Sequence, residues 1–332
     1  TKYPQSNLIP KRNSGTRGNR HCSMQLPKFM VATDRMRIAV NGNNFLANQS
    51  NSKKMVEIKA ADVNKLRQQT GAGLMDCKKA LVESGGDFEK AIDYLRKKGQ
   101  KVSALRSDRE AKEGVVIAMA NDNMTEGVIL NLSCETDFVA KNEEFMAFAK
   151  AAAKLALDNG IESAEELVKL PYEGTTIGEK VTEMVGKIGE KIEIRKTERL
   201  DGACVVPYIH SNYKLGVLIA FNQPASDAVT AIGKDLAMQV AAMNPVSVDQ
   251  TTVPQQVVDR ELDIAREKAR ADGKPETMID KIAAGALQKY FKENTLLSQE
   301  FVKDNKKTVT DVLKGIDKEL KVTAFKRLSL AN

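Results

Sequence analysis

The hydrophobic positions begin to recur at about residue 60. Val63 and Leu66 share one helical face, Leu74, Cys77 and Leu81 a second, and Phe88, Ile92 and Leu95 a third. Apolar residues three, four or seven apart lie on one side of an α-helix, so the spacing predicts three short helices at about 60–69, 74–84 and 88–98. Gly71 and Gly73 supply a tight turn, Gly85 and Gly86 end the second helix, Asp87 is placed to cap the third, and Gly99 closes the unit. Residues 100–113 (KVSALRSDREAKEG) are highly charged and read as a helical or extended linker after a 55–99 module.

The period then changes, and an internal repeat emerges. Residues 114–120 (GVVIAMA) and 127–132 (GVILNL) flank a turn at Asn121-Asp122-Asn123, and a helix follows from about 142 to 157. Residues 202–209 (GACVVPYI), a turn near Asn212, residues 216–221 (GVLIAF) and a helix from about 225 to 243 repeat that order, displaced by 88 or 89 residues. This predicts an α+β chain with two related core subdomains, 114–200 and 201–330, each a small antiparallel sheet covered by helices. Residues 191–196 (KIEIRK) alternate with period two and fit a last strand of the first sheet; 322–328 (VTAFKRL) fit the second. Between them Val257, Leu262 and Ile264, a turn at 272–275, then Met278, Ile282, Leu287 and Phe291 predict an inserted antiparallel helical hairpin over 254–292.

Composition adds a question about charge. The chain of 332 residues is 42% hydrophobic, a globular balance, yet carries a formal +7 and a pI near 9.0. Residues 1–54 hold ten Lys/Arg against one acid, Asp34, a net +9, which leaves −2 on everything that follows. That segment is rich in Asn and has no sustained hydrophobic period, so it is expected to be a disordered extension outside the functional protein. Its Arg-rich, acid-poor composition also fits a transit peptide, which would make the chain organellar instead of cytoplasmic. The longest apolar run, 115–120, is far too short for a bilayer-spanning helix. Cysteines at 22, 77, 134 and 204 are too few and scattered for a disulfide framework; they read as small core residues in a reducing compartment.

Catalytic chemistry has little support. Beyond residue 54 the one histidine is His210, at a strand end, and no His, Cys or carboxylate cluster has metal-ligand spacing, so no catalytic residue, metal site or cofactor is expected. Residues 174–181 (GTTIGEKV) lack the Gly-Lys-Ser/Thr ending of a phosphate loop. The unusual stretch is 134–142 (CETDFVAKN), where Phe138 and Val139 follow Asp137 directly after an apolar strand. Either Phe138 covers the sheet edge and Asp137 caps the next helix, or the pair forms a protruding tip for a partner's pocket.

Two stretches, 65–81 (KLRQQTGAGLMDCKKAL) and 134–140 (CETDFVA), resemble the elongation factor Ts family, the guanine-nucleotide exchange factors of elongation factor Tu. The resemblance extends from Met55 to about Leu328 and includes 186–190 (GKIGE) and His210. It implies a three-helix module of ubiquitin-associated type, a two-part core and a coiled-coil hairpin. It implies elongation factor Tu, in its GDP and nucleotide-free forms, as partner, with contacts from Met75, Lys78, Arg106, Thr136, Asp137, Phe138, Val139, Ile188, Gly189 and His210. No direct nucleic-acid or membrane contact is implied, while pairing of two copies through the core, or a 2:2 complex, is compatible with it. Met55 matches the family's usual start, and the chain stops at Asn332, where some members continue into a C-terminal helical module. The competing class is a basic RNA- or ribosome-binding protein acting through 1–54.

Overall fold

The computed structural model describes residues 58–330; the basic segment 1–54, with Cys22, lies outside the described residues. In chain order the elements are α1 (Ala60–Thr70), α2 (Leu74–Glu83), α3 (Phe88–Leu105), β1 (Glu113–Ala120), β2 (Glu126–Cys134), α4 (Asp137–Ala140), α5 (Glu143–Asp158), α6 (Ala164–Leu167), β3 (Pro171–Tyr172), β4 (Thr175–Thr176), α7 (Ile177–Ile188), β5 (Ile192–Asp201), β6 (Cys204–His210), β7 (Leu215–Phe221), α8 (Asp227–Met243), α9 (Gln255–Ala271), α10 (Glu276–Asn294), β8 (Glu300–Phe301), β9 (Asp304–Thr308), α11 (Val309–Ile316) and β10 (Val322–Ser329). The mixture of helices with small antiparallel sheets is α+β.

Helices α1 to α3 close around Val63, Leu66, Cys77, Ala80, Leu81 and Ala91. Gly71 ends α1 at φ +66°, a left-handed conformation that costs a side-chain-bearing residue, and Asp87 caps α3 by accepting the Lys90 N–H. One expectation fails here. Gly99 does not close the module, because α3 runs on to Leu105 and takes up the first part of the 100–113 linker. The glycine serves packing: α3 crosses α7, and a β-carbon on Gly99 would lie 3.0 Å from the Thr182 carbonyl oxygen.

The core has two three-stranded antiparallel sheets, ordered β1-β2-β5 and β10-β7-β6. In both, a hairpin is followed by a helix and a later strand that pairs with the hairpin's second strand. Successive side chains of a strand point to opposite faces. Val115 and Ile117 face the helical side with Phe145, Phe148, Ala152 and Met184, whereas Val116 and Ala118 meet Val205, Leu218 and Ala220 of the other sheet. Val206, Val217, Ile219 and Phe221 pack on the far side against Val229, Leu236 and Val240 of α8. The order of layers is therefore helix, sheet, sheet, helix. Strands buried on both faces read as unbroken apolar runs, which is why 114–120 and 216–221 show no alternation. Gly127 and Gly216 lie where the sheets approach closely, since a β-carbon there would sit 2.7 Å from Val205 Cγ1 or 2.8 Å from Val116 Cγ1.

Helices α9 and α10 form a two-helix hairpin, held by Arg266 to Asp280 at 2.9 Å and Arg270 to Glu276 at 2.9 Å, with Ala269, Ile279 and Ala283 buried between them. Helix α7, the β8-β9 hairpin and α11 were not expected from the sequence pattern. Helix α7 is set by a capping box, Thr176 with Glu179, and ends at Gly189 with φ +81°.

Candidate functional site: a clamped acidic and aromatic tip

Strand β2 is held in register by β5, with Cys134 opposite Ile192. That register sets the two strand ends side by side and lets them exchange carboxylates. Glu135 accepts the Lys191 backbone N–H at 2.6 Å, and Glu190 accepts the Thr136 backbone N–H at 3.0 Å and the Thr136 hydroxyl at 2.8 Å. Glu135 also takes the Arg106 guanidinium at 2.8 Å, with Arg109 at 3.9 Å. Its side chain is 15% exposed. Burial pushes the Glu135 carboxyl up, but the Lys191 N–H and the Arg106 and Arg109 charges outweigh it and hold it below the usual value.

The clamp launches a single turn of helix. Thr136 caps α4 through its hydroxyl, and Asn142 caps α5 by accepting the N–H groups of Glu144 and Phe145. Asp137 is therefore not a cap; it is the first residue of α4, and its carboxylate pairs with Lys141 at 2.6 Å. Lys141 lowers the Asp137 pKa, helped from farther off by Lys214. Val139 is buried in the same core as Val115, Phe145 and Met184 and anchors the turn, while Phe138 points outward at 82% exposure. The covering reading of Phe138 is overturned, since a side chain so exposed covers no sheet edge. Single exposed hydrophobics are common, but this one is an aromatic ring on a backbone fixed at both ends.

The sequence-predicted positions do not all come together. Arg106, Thr136, Asp137, Phe138 and Val139 are brought together by the clamp, and Ile188 and Gly189 close α7 just before Glu190. His210 ends β6; it is exposed, and its Nδ1 lies 2.8 Å from the Tyr208 hydroxyl. The turn after it does face that end of the molecule: Lys214 pairs with Glu113 at 3.3 Å, and Glu113 is opposite Cys134. Ser211, Asn212 and Tyr213 all have left-handed φ, a strained run held by Val116 donating its N–H to the Tyr213 carbonyl at 2.7 Å. Met75 and Lys78 lie apart on α2, where Leu74, Met75, Lys78 and Val82 share one outward face and Met75 is 72% exposed. Glu135, Glu190, Lys141 and Lys214 were not singled out from the sequence, although the first three lie within 134–142 and 186–190.

Among the described residues no group of three or more His, Cys, Asp or Glu could hold a metal ion, and no helix is long and apolar enough to cross a membrane. Cys77, Cys134 and Cys204 are buried free thiols.

The tip thus presents one exposed ring and one carboxylate on a turn that follows the β2–β5 register. The family described as Elongation factor TS matches residues 135–332. Elongation factor Ts of Christiangramia forsetii is 50% identical over 276 residues, 83% of this chain and 100% of the relative; that of Flavobacterium psychrophilum gives the same figures. Elongation factor Ts of Chlorobium phaeobacteroides is 44% identical over 286 residues, covering 83% of this chain and 99% of the relative. The chain belongs to the elongation factor Ts family.

Proposed function

We propose that the chain is a non-catalytic exchange factor that binds elongation factor Tu in its GDP form and promotes release of GDP, so that GTP can rebind. The tip and the α2 face are the two contact surfaces, the module being of the ubiquitin-associated kind and α9–α10 a coiled-coil projection. Phe138 inserts into a partner pocket near the Mg²⁺ and phosphate site, and Asp137 brings negative charge where Mg²⁺ coordination is disturbed. Lys78 and Met75 hold the partner's nucleotide-binding domain, with Ile188, Gly189 and His210 at the edges of the same interface.

The observation that carries this reading is an aromatic ring 82% exposed on a clamped backbone. Burying a phenylalanine contributes roughly 1.5–3 kcal/mol. When the receiving pocket opens only in the nucleotide-free partner, that energy is differential, and linkage makes the factor weaken GDP binding as much as GDP weakens the factor's. A rigid tip loses little conformational entropy on binding, so most of the gain remains available.

The test is stopped-flow release of labelled GDP from elongation factor Tu, with the full chain and with 55–332. Both should accelerate release equally. Loss of activity on removing 1–54, together with salt-sensitive RNA binding by the full chain, would establish the RNA-binding alternative instead.

A further inference from the structure

Two glycines lie within helices, short of their ends. Gly99 is in the twelfth position of the 18-residue α3, and Gly186 is in the last turn of the 12-residue α7, two residues before its end. Glycine in a helix interior gives up stability relative to alanine, so its presence at facing positions calls for a packing reason. The close approach of the two backbones supplies it. A β-carbon on Gly186 would sit 2.8 Å from Gly99 Cα and 3.5 Å from Gly99 N, and one on Gly99 would sit 3.0 Å from Thr182 O and 3.7 Å from Gly186 Cα. These are backbone atoms, which no rotamer change can move. Carbon atoms rest about 3.5–4.0 Å apart, so a methyl at Gly186 forces the helices apart by about 1 Å.

What the two helices carry makes the crossing consequential. Toward its N-terminus α3 is part of the three-helix module, and Lys98 pairs with Asp76 of α2. Toward its C-terminus α3 reaches Arg106, which holds Glu135 at 2.8 Å. Helix α7 ends at Gly189, and the next residue, Glu190, holds Thr136. Arg96 adds an ion pair to Glu183 of α7 at 3.4 Å. Both helices that meet at the glycines thus end on the tip, and one of them begins in the module. The arm from Gly99 back to Phe88 is about 16 Å long, so a small change of crossing angle moves the α2 face by several ångströms.

We infer that the Gly99–Gly186 crossing is a positioning element that fixes the spacing between the α2 face and the 136–139 tip, so that one partner molecule engages both at once. This rests on the exchange reading, which supplies the partner. Two contacts held at a fixed matching separation act as one bivalent surface, and the second contact forms at a high effective concentration; a changed separation loses that gain while each contact stays intact.

The experiment uses the full chain carrying Gly186→Ala, with Gly99→Ala as the milder second variant because its nearest contact is longer. Three readouts are taken: the thermal unfolding profile, the factor concentration giving half-maximal GDP release from elongation factor Tu, and the distance distribution between spin labels at Lys79→Cys and Lys141→Cys in a Cys22→Ser background, the other cysteines being buried. The expected result is a cooperatively folded chain whose half-maximal concentration rises at least tenfold, whose label distances shift or broaden, and in which Lys78→Ala has less effect than it has in the parent. A folded variant with parental half-maximal concentration, parental label distances and an undiminished Lys78→Ala effect overturns the inference. Should Gly186→Ala not fold, the same comparison on Gly99→Ala decides. A parent chain that fails to accelerate GDP release removes the exchange reading instead, and the label distances then still decide whether the crossing fixes the two surfaces.

Discussion

Replacing Glu190 with alanine removes both acceptors that hold Thr136, the carboxylate oxygens at 3.0 Å from its backbone nitrogen and 2.8 Å from its hydroxyl. A hydrogen bond to a charged acceptor contributes roughly 1.5–3 kcal/mol when well shielded, and a neutral one about 1 kcal/mol. Thr136 and Glu190 are both half-buried, so water replaces part of what is lost, and the pair together is worth about 2 kcal/mol. That corresponds to about thirtyfold in an equilibrium constant. If the clamped tip is the binding-competent form, apparent affinity falls with the population of that form, by up to about thirtyfold. The assay titrates elongation factor Tu loaded with labelled GDP against parent and variant. The half-maximal concentration should rise between about threefold and thirtyfold, while the plateau rate changes little because Phe138 still engages once bound. Amide hydrogen exchange over 136–141 should quicken in the same variant. Glu190→Gln, which keeps one acceptor and can accommodate the rotatable hydroxyl with its amide, should fall between the two. Parental half-maximal concentration together with parental amide protection in Glu190→Ala would refute the claim that the carboxylate pre-organises the tip.

Two further outcomes follow from the same geometry. The Glu135 carboxyl is lowered from an ordinary value of 4.5, so its contribution to stability is fully present above that value and is lost as pH falls through the lowered one; Glu135→Gln should remove part of the loss of stability between pH 5 and pH 3 seen in denaturation curves, and an unchanged pH profile contradicts the assignment. Burial, reinforced by the Glu190 charge, pushes the Cys134 thiol up to about 12, so the native chain should resist iodoacetamide at this position at pH 8 and label there only on unfolding, whereas native labelling at the rate of a free thiol would contradict the burial.

The helices and hairpins of the chain were legible because their signals are local. Val63 and Leu66, or Leu74, Cys77 and Leu81, declare a helical face within a few residues, and two apolar runs around an Asn-rich turn declare a hairpin. Stacking of the two sheets was hidden by the same runs: Val115 and Val116 look alike in sequence, and only the opposed packing partners separate them. Gly99 was misread because glycine is the commonest helix terminator, and its actual neighbour, Gly186, is far away along the chain. The clamp was hidden for that reason too, since Glu135 and Lys191 are 56 residues apart and meet only through the β2–β5 register. Phe138 stood out early because an aromatic residue directly after Asp137 breaks the polar pattern of a strand exit. What the pattern alone left open, covering residue or protruding tip, was decided by exposure.

If Phe138 drives the partner toward its nucleotide-free form, removing its ring must slow nucleotide release without disturbing the fold. Phe138 touches little of its own chain, so Phe138→Ala should leave the unfolding midpoint of the chain unchanged. Burying the ring in the proposed partner pocket would be worth roughly 1.5–3 kcal/mol, about ten- to a hundredfold in rate. Stopped-flow GDP release from elongation factor Tu at saturating factor should therefore be slower by at least tenfold with Phe138→Ala than with the parent. A release rate for Phe138→Ala equal to the parent's at saturation would show that the ring does not drive release.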